Sequence, residues 1–163
     1  RVLGAQALGE DAPAVDKRIS ALAVAIQMGA TIEDLEEAEL CYAPQFGSAK
    51  DAVNFCGMIA ADVVRGDMPL AHWDETGDAF VLDVREPVEL AVQALPGATH
   101  MPLSQVRARL GELPRDREIL VACRSAQRAY FATRILLQNG FKARTISGGM
   151  LSHAVESLSR ADA

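Results

Sequence analysis

The sequence predicts an α/β fold, a mainly parallel sheet with helices on both faces, preceded by a smaller, partial α+β segment. Three observations carry this. From about residue 69 onward, short apolar runs alternate with helix-length stretches, the pattern of parallel strands joined by covering helices. Residues 15–64 instead show helical periodicity behind an extended start. Half of the 163 residues are apolar, enough to build compact cores. The expected organisation is a first domain over residues 1–66, a linker at 67–70 and a second domain over 71–163.

Arg1-Val2-Leu3-Gly4-Ala5-Gln6 reads as a strand already under way, and Arg1 stands where an initiator Met is expected. The chain is therefore expected to be a fragment of something longer. Apolar residues at Val15, Ile19, Leu22, Ala23 and Ile26 mark a helix to Met28, which Gly29 closes as a C-cap. Thr31 then serves as an N-cap with Asp34 in the acidic position three residues later, opening a short helix. The stretch Tyr42-Ala43-Pro44-Gln45-Phe46-Gly47-Ser48 forms turns, and a third helix spans about Ala49–Val64 before Arg65-Gly66-Asp67. Beyond the linker, Ala79–Val84, Glu118–Ala122 and Phe141–Ile146 are strand candidates, with a short extended piece at Gly97–Pro102. Helices are expected at Pro87–Ala91, near Ser104–Leu110, over Arg128–Asn139 capped by Gly140, and from about Gly149 to Ser157.

The chemistry is concentrated at Cys123-Arg124-Ser125-Ala126-Gln127-Arg128, which follows the apolar run Ile119–Ala122 and leads into a helix. A cysteine where a strand becomes a helix meets the positive end of the helix dipole, and free backbone N–H groups can converge on its sulfur. That setting favours a nucleophilic thiolate.

Composition excludes several classes. No apolar run reaches the roughly 18 residues of a membrane span, and no signal-peptide pattern is present. Three cysteines without metal-ligand spacing suit a reducing cytoplasm. His72, His100 and His153 lie too far apart in sequence to suggest a metal site. The net charge of −6 makes nucleic acid a poor partner. The excess is local: residues 1–68 hold 5 Lys and Arg against 11 Asp and Glu, while residues 69–163 hold 11 of each. Ten of the eleven cations in the second part are Arg. Two readings of them stay open, an anionic ligand such as a nucleotide-tailed thiol or a solvated surface.

Four ordered pieces of residues 69–163 resemble a rhodanese (sulfurtransferase) domain. They are Leu82-Asp83-Val84-Arg85-Glu86, Pro96–Leu103, Val121–Arg128 and Ser147-Gly148-Gly149-Met150. The resemblance implies that Cys123 accepts sulfane sulfur as a persulfide, that Arg124, Ser125, Ala126 and Gln127 cradle the outer sulfur, and that Arg128 braces the loop. Asp83 and Arg85 match the family's Asp-x-Arg element, read here as an ion pair fixing a strand end. Cys-based phosphatases of similar fold place five residues between Cys and Arg. Four stand here and the next residue is Ala129, so a sulfur-sized cradle fits better. The departure is Ala126, where many active members carry Gly; a left-handed Ala costs roughly 1 kcal/mol. Gly148 and Gly149 suit a tight strand-to-helix turn, with phosphate cradling as the weaker alternative.

Residues 1–66 resemble the end of the dimerisation domain of flavin-dependent pyridine nucleotide-disulfide oxidoreductases. The matching stretches are Val2–Gln6, Val15–Ile19 and Glu39–Asp51, continued by Val53, Asn54 and Gly57. The run from Tyr42-Ala43-Pro44 to Lys50-Asp51 fits the branch of coenzyme A-disulfide reductases and NADH oxidases, with Gln45 and Ala52 in place of prolines common there. The resemblance implies a homodimer formed through residues 1–66, with Tyr42 and Phe46 reaching the partner's substrate pocket or packing in the dimer contact. FAD and NAD(P)H are then expected in the full-length protein. None is expected on these residues, which lack a Gly-x-Gly-x-x-Gly fingerprint. Cys41 and Cys56 are expected to be small, buried packing residues.

The leading expectation is the C-terminal part of a coenzyme A-disulfide or persulfide reductase with a fused rhodanese domain acting on a low-molecular-weight thiol, disulfide or persulfide. The alternatives are a stand-alone thiosulfate or thiol sulfurtransferase and a non-catalytic docking module.

Overall fold

Capping side chains set the starts of two of the helices that precede the sheet. The computed structural model describes residues 1–10 and 12–153, which divide into two units, Arg1–Gly66 and Asp67–Ala163. The first holds α1 (Ala12–Gln27), α2 (Ile32–Glu37) and α3 (Ala52–Arg65). Thr31 Oγ1 accepts the Asp34 N–H at 3.2 Å while Asp34 Oδ2 accepts the Thr31 N–H at 2.7 Å, closing a reciprocal cap on α2. Asp51 caps α3 by accepting the Val53 N–H at 3.1 Å, so this helix starts three residues later than its periodicity predicts.

Asn54 ties the two helices together. Its Nδ2 donates to the carbonyls of Leu35 and Ala38 at 3.1 and 2.8 Å, satisfying acceptors that the end of α2 leaves open. Leu22, Leu35 and Val53 form the core, with Val2, Ile19 and Leu40 packed against it.

Two expectations fail in this unit. Residues 1–9 carry no strand. Val2 donates to Ala30 O at 2.8 Å, but no second strand of this unit lies alongside among the described residues to extend the ladder. Cys41 and Cys56 are exposed rather than buried. α3 turns Val53, Asn54, Gly57 and Ala61 inward, leaving Cys56 outside beside Phe55 and Ile59. Cys41 lies in the irregular stretch that follows Leu40.

The second unit is a five-stranded, wholly parallel sheet. Its strands are β1 (Leu70–Ala71), β2 (Phe80–Asp83), β3 (Thr99–His100), β4 (Ile119–Ala122) and β5 (Ala143–Ile146), in the order β1-β5-β4-β2-β3. Helices α4 (Pro87–Val92), α5 (Leu103–Val106) and α6 (Gln127–Gln138) connect them. The helix expected near Ser104–Leu110 splits into α5 and a 3-10 turn at Leu110–Glu112. A further 3-10 turn, Trp73–Glu75, and strand β1 carry no periodic signal because each is only two or three residues long. Residues 149–153 are helical; the rest of that predicted helix lies outside the described residues.

Every residue of β4 is buried, as its continuous apolar sequence requires of a central parallel strand. Its side chains alternate. Ile119 and Val121 join Leu82, Val84, Met101, Leu136 and Phe141 on one face, whereas Leu120 and Ala122 join Ala71, Trp73, Ile146 and Met150 on the other. The register pairs Asp83 with Ala122, Val121 with Thr145, and Ala71 with Ile146. The carboxyl ends of β2, β4 and β5 therefore emerge together, and Cys123 lies among them.

Gly57 provides a test of the α2–α3 packing. An added Cβ there would sit 2.3 Å from Glu36 N and 2.7 Å from Leu35 C, both backbone atoms that cannot rotate away. Gly57→Ala gains about 1 kcal/mol of helix propensity but loses about 1–3 kcal/mol to overpacking. The expected outcome is a lower urea midpoint for the first unit by far-UV circular dichroism.

Candidate active site

The loop after β4 is shaped by what its carbonyls bond. Met150 N–H donates to Cys123 O at 2.9 Å, and Leu151 N–H donates to Arg124 O at 3.1 Å. Both donors belong to the first turn of the 149–153 helix, whose N–H groups have no partner within the helix. A trans peptide is planar, so fixing those two carbonyls points the N–H groups of Arg124 and Ser125 the opposite way. The N–H groups of Arg124, Ser125, Ala126, Gln127 and Arg128 take no acceptor among the described residues. The Ala129 N–H donates to Cys123 Sγ at 3.3 Å. Cys123 is 1 % exposed, while Arg124, Ser125 and Gln127 are exposed around it. The loop thus presents a set of unused donors beside one buried sulfur.

Ala126 caps α6 in the left-handed region, with φ 72° and ψ −17°. It is the one non-glycine residue with positive φ among the described residues. The loop keeps its left-handed turn despite the missing Gly, at a strain of roughly 1 kcal/mol.

Gly148 and Gly149 form the strand-to-helix turn with φ of 68° and 57°. A Cβ on Gly149 would lie 2.4 Å from Cys123 O and 2.7 Å from Arg124 O. The space and the donors that a phosphate cradle would use here are already taken by the cysteine loop.

Asp83 and Arg85 form a buried ion pair at the end of β2. Arg85 Nη2 lies 2.6 Å from Asp83 Oδ2, Nε lies 3.0 Å from both carboxylate oxygens, and the Arg85 N–H donates to Oδ1 at 3.1 Å. His100 Nε2 donates to Arg85 O at 2.8 Å. Val84 N–H donates to Ala122 O at 2.9 Å, immediately before Cys123, so this charged strand end is tied to the entrance of the loop.

Arg128 reaches α4, where Glu89 receives its guanidinium at 2.5 and 2.7 Å. Glu89 also accepts the Glu86 N–H at 2.9 Å, which seats it at the start of α4. The Arg128 hydrogen bonds hold the Glu89 carboxyl down to about 2. Glu89 in turn raises the Arg128 guanidinium, and negative charge on Cys123 acts in the same direction. Neither Glu89 nor, beyond its place among the three histidines, His100 is singled out by the sequence. The Glu86-x-x-Glu89 spacing around Pro87 was the available signal for the first.

Tyr42 and Phe46 lie in the first unit, both exposed, in a turn where Ala43 O accepts the Phe46 and Gly47 N–H groups at 2.9 and 3.2 Å. A cleft of about 240 Å³ beside that turn is lined by Phe46, Cys41, Lys17 and Asp51 among others. Among the described residues no cluster of three His, Cys, Asp or Glu side chains could hold a metal, and no helix is long and apolar enough to cross a membrane.

The rhodanese-like domain family matches residues 69–154, the whole sheet and the cysteine loop. The chain belongs to the rhodanese-like domain family. A sulfurtransferase of Allochromatium vinosum is 33% identical over 85 residues, 52% of this chain and 79% of that protein. The crystal structure of reduced Bacillus anthracis CoADR-RHD superposes with a TM-score of 0.80 at 38% identity, covering 83% of this chain and 25% of that one. A NAD-dependent persulfide reductase from A. fulgidus gives a TM-score of 0.77 at 36% identity over 89% of this chain and 26% of that one. The chain thus spans about a quarter of each of these two solved proteins. Both matches extend beyond the rhodanese-like domain into the first unit, since residues 69–154 alone are little more than half of the chain.

The Glu89–Arg128 pair gives a pH test. The folded-state carboxyl lies below its free value of 4.5, so its stabilisation is complete above about pH 4.5 and is lost as the pH falls toward 2. The pair is partly exposed, which limits it to about 1 kcal/mol. Glu89→Gln is expected to be less stable than the parent by that amount at pH 7 in urea titrations. The gap is expected to narrow below pH 4.5 and close near pH 2.

Proposed function

We propose that the rhodanese-like domain carries sulfane sulfur as a persulfide on Cys123. The observation behind this reading is the set of N–H groups at residues 124–128, without an acceptor among the described residues, in the loop that begins at the buried Cys123, whose sulfur already accepts the Ala129 N–H. With thiosulfate as donor, the Cys123 thiolate attacks the outer, sulfane sulfur. The sulfur–sulfur bond of thiosulfate breaks, and sulfite leaves with the electron pair. The outer sulfur of the persulfide bears the negative charge, and the loop N–H groups are the donors available to it. An acceptor thiolate then attacks that outer sulfur, and the Cys123 thiolate departs, ready for a further cycle. In the first step Cys123 is oxidised to the persulfide level as thiosulfate is reduced to sulfite. In the second it returns to the thiolate as the acceptor becomes the persulfide, so the chain undergoes no net oxidation over the cycle.

We further infer that this chain is the sulfur-carrying part of an FAD- and NAD(P)H-dependent reductase of coenzyme A disulfides or persulfides. Support comes from the two large relatives whose match runs through both units, and from the resemblance of residues 39–51 to that reductase branch. The residues present do not themselves fit a flavin or nicotinamide site. The first unit shows helices only among its described residues, and the Gly148–Gly149 turn is filled by the cysteine loop. Those cofactors would be held by residues outside this sequence. Joining carrier and reductase in one protein raises the effective concentration of one site for the other.

A homodimer through residues 1–66 belongs to the same proposal. Phe55, Ile59 and Val63 form an exposed apolar stripe at four-residue spacing along α3, which supports burial against another surface. In this reading Tyr42 and Phe46, exposed on their turn, contribute to a partner's substrate pocket. The substrate class is a low-molecular-weight thiol, disulfide or persulfide of coenzyme A type, and the cellular location in this reading is the cytoplasm.

Intact-mass spectrometry after thiosulfate or glutathione persulfide tests the carrier. The expected gain is one sulfur, about 32 Da, lost in Cys123→Ser. An unmodified parent, or an equal gain in Cys123→Ser, would contradict the assignment and favour a docking role.

A further inference from the structure

The geometry points to Trp73 as a positioning residue for the Cys123 loop, acting through the Gly149 carbonyl. This rests on the reading of Cys123 as a sulfur carrier. Trp73 is the single tryptophan of the chain, and the residue is 8 % exposed in the core on one face of the sheet. Its indole N–H donates to Gly149 O at 3.0 Å and also lies 3.2 Å from Ser152 Oγ. Ser152 Oγ itself lies 3.0 Å from the carbonyls of both Ser147 and Gly149. The edge-on His153 ring, with centroids 4.5 Å apart, holds the indole from another side.

The backbone on either side of Trp73 is equally fixed. Ala71, two residues earlier, pairs with Ile146 and accepts the Ser147 N–H at 2.9 Å. The β1–β5 ladder, the indole and the Gly149 carbonyl therefore close a ring of contacts around the turn at 147–149. The next two N–H groups, of Met150 and Leu151, hold the carbonyls of Cys123 and Arg124. Gly149 approaches those carbonyls so closely that rotation of the turn would collide with them or break both bonds. Fixing Gly149 thus fixes which way the 123–124 and 124–125 peptides face, and with them the N–H groups available to the outer sulfur. Trp73 never touches the sulfur. It sets the orientation of the donors that do.

The test uses the 163-residue chain and Trp73→Phe, which keeps an aromatic ring and removes the donor. Each protein is loaded with thiosulfate, and the persulfide lifetime against glutathione is followed by intact mass, beside the urea midpoint and the KM and kcat of loading. The expected result is a lifetime shortened roughly fivefold or more and a lower kcat at unchanged KM, in a protein that remains folded. Unchanged lifetime and kcat in folded Trp73→Phe, with or without a lower urea midpoint, would overturn the proposal while leaving the carrier reading intact. Failure of the parent to load would overturn both. Should Trp73→Phe fail to fold, biosynthetic replacement of this single tryptophan by benzothienylalanine, an isostere without the N–H, decides between the same two results.

Discussion

Two hydrogen bonds, from Met150 and Leu151 to the carbonyls of Cys123 and Arg124, govern the rest of the site. A loop of four residues between a buried strand and a helix can aim its peptides in many ways. Here the first turn of the following helix claims both carbonyls, and peptide planarity aims the opposite N–H groups away from that helix. The parallel sheet makes this possible by bringing the ends of β4 and β5 out side by side. The fold therefore contributes more than a place to put a cysteine. It supplies the neighbouring helix start that sets the conformation of the cysteine loop.

The same two bonds explain why Ala126 is tolerated. A left-handed alanine costs roughly 1 kcal/mol, and each backbone hydrogen bond contributes about 1 kcal/mol net. Two such bonds, with the Glu89–Arg128 contact anchoring the helix side, outweigh the strain. On the other flank, the Asp83–Arg85 pair is buried together with its backbone contacts, so neither charge is left alone in the core. The loop is held at its entrance, along its carbonyls and at its exit. Little freedom remains for it to reshape.

Much of this was legible in the sequence. The strand–helix alternation gave the parallel sheet because buried central strands read as unbroken apolar runs, β4 above all. Thr31 declared one helix start through its side chain, whereas the Asp51 cap displaced the start near Ala49 that apolar periodicity suggested. Cys123 was found from its place between strand and helix. Less legible were features that depend on long-range partners. A strand at residues 1–6 needs a neighbour that this unit does not provide among its described residues. Cys56 could be judged buried or exposed only once the face of α3 turned toward α2 was known. Trp73 and Glu89 act across 76 and 39 residues, where no local pattern announces the contact.

The central claim is that the N–H groups at residues 124–128 are the donors that receive the outer sulfur of a Cys123 persulfide. The most direct measurement is a comparison of amide proton and nitrogen shifts in the sulfur-free and sulfur-loaded chain. The account predicts downfield amide proton shifts concentrated at residues 124–129, with the amides of Met150 and Leu151 nearly unmoved because their carbonyl partners stay in place. Loading that leaves residues 124–128 unshifted, or that shifts Met150 and Leu151 most strongly, would contradict it.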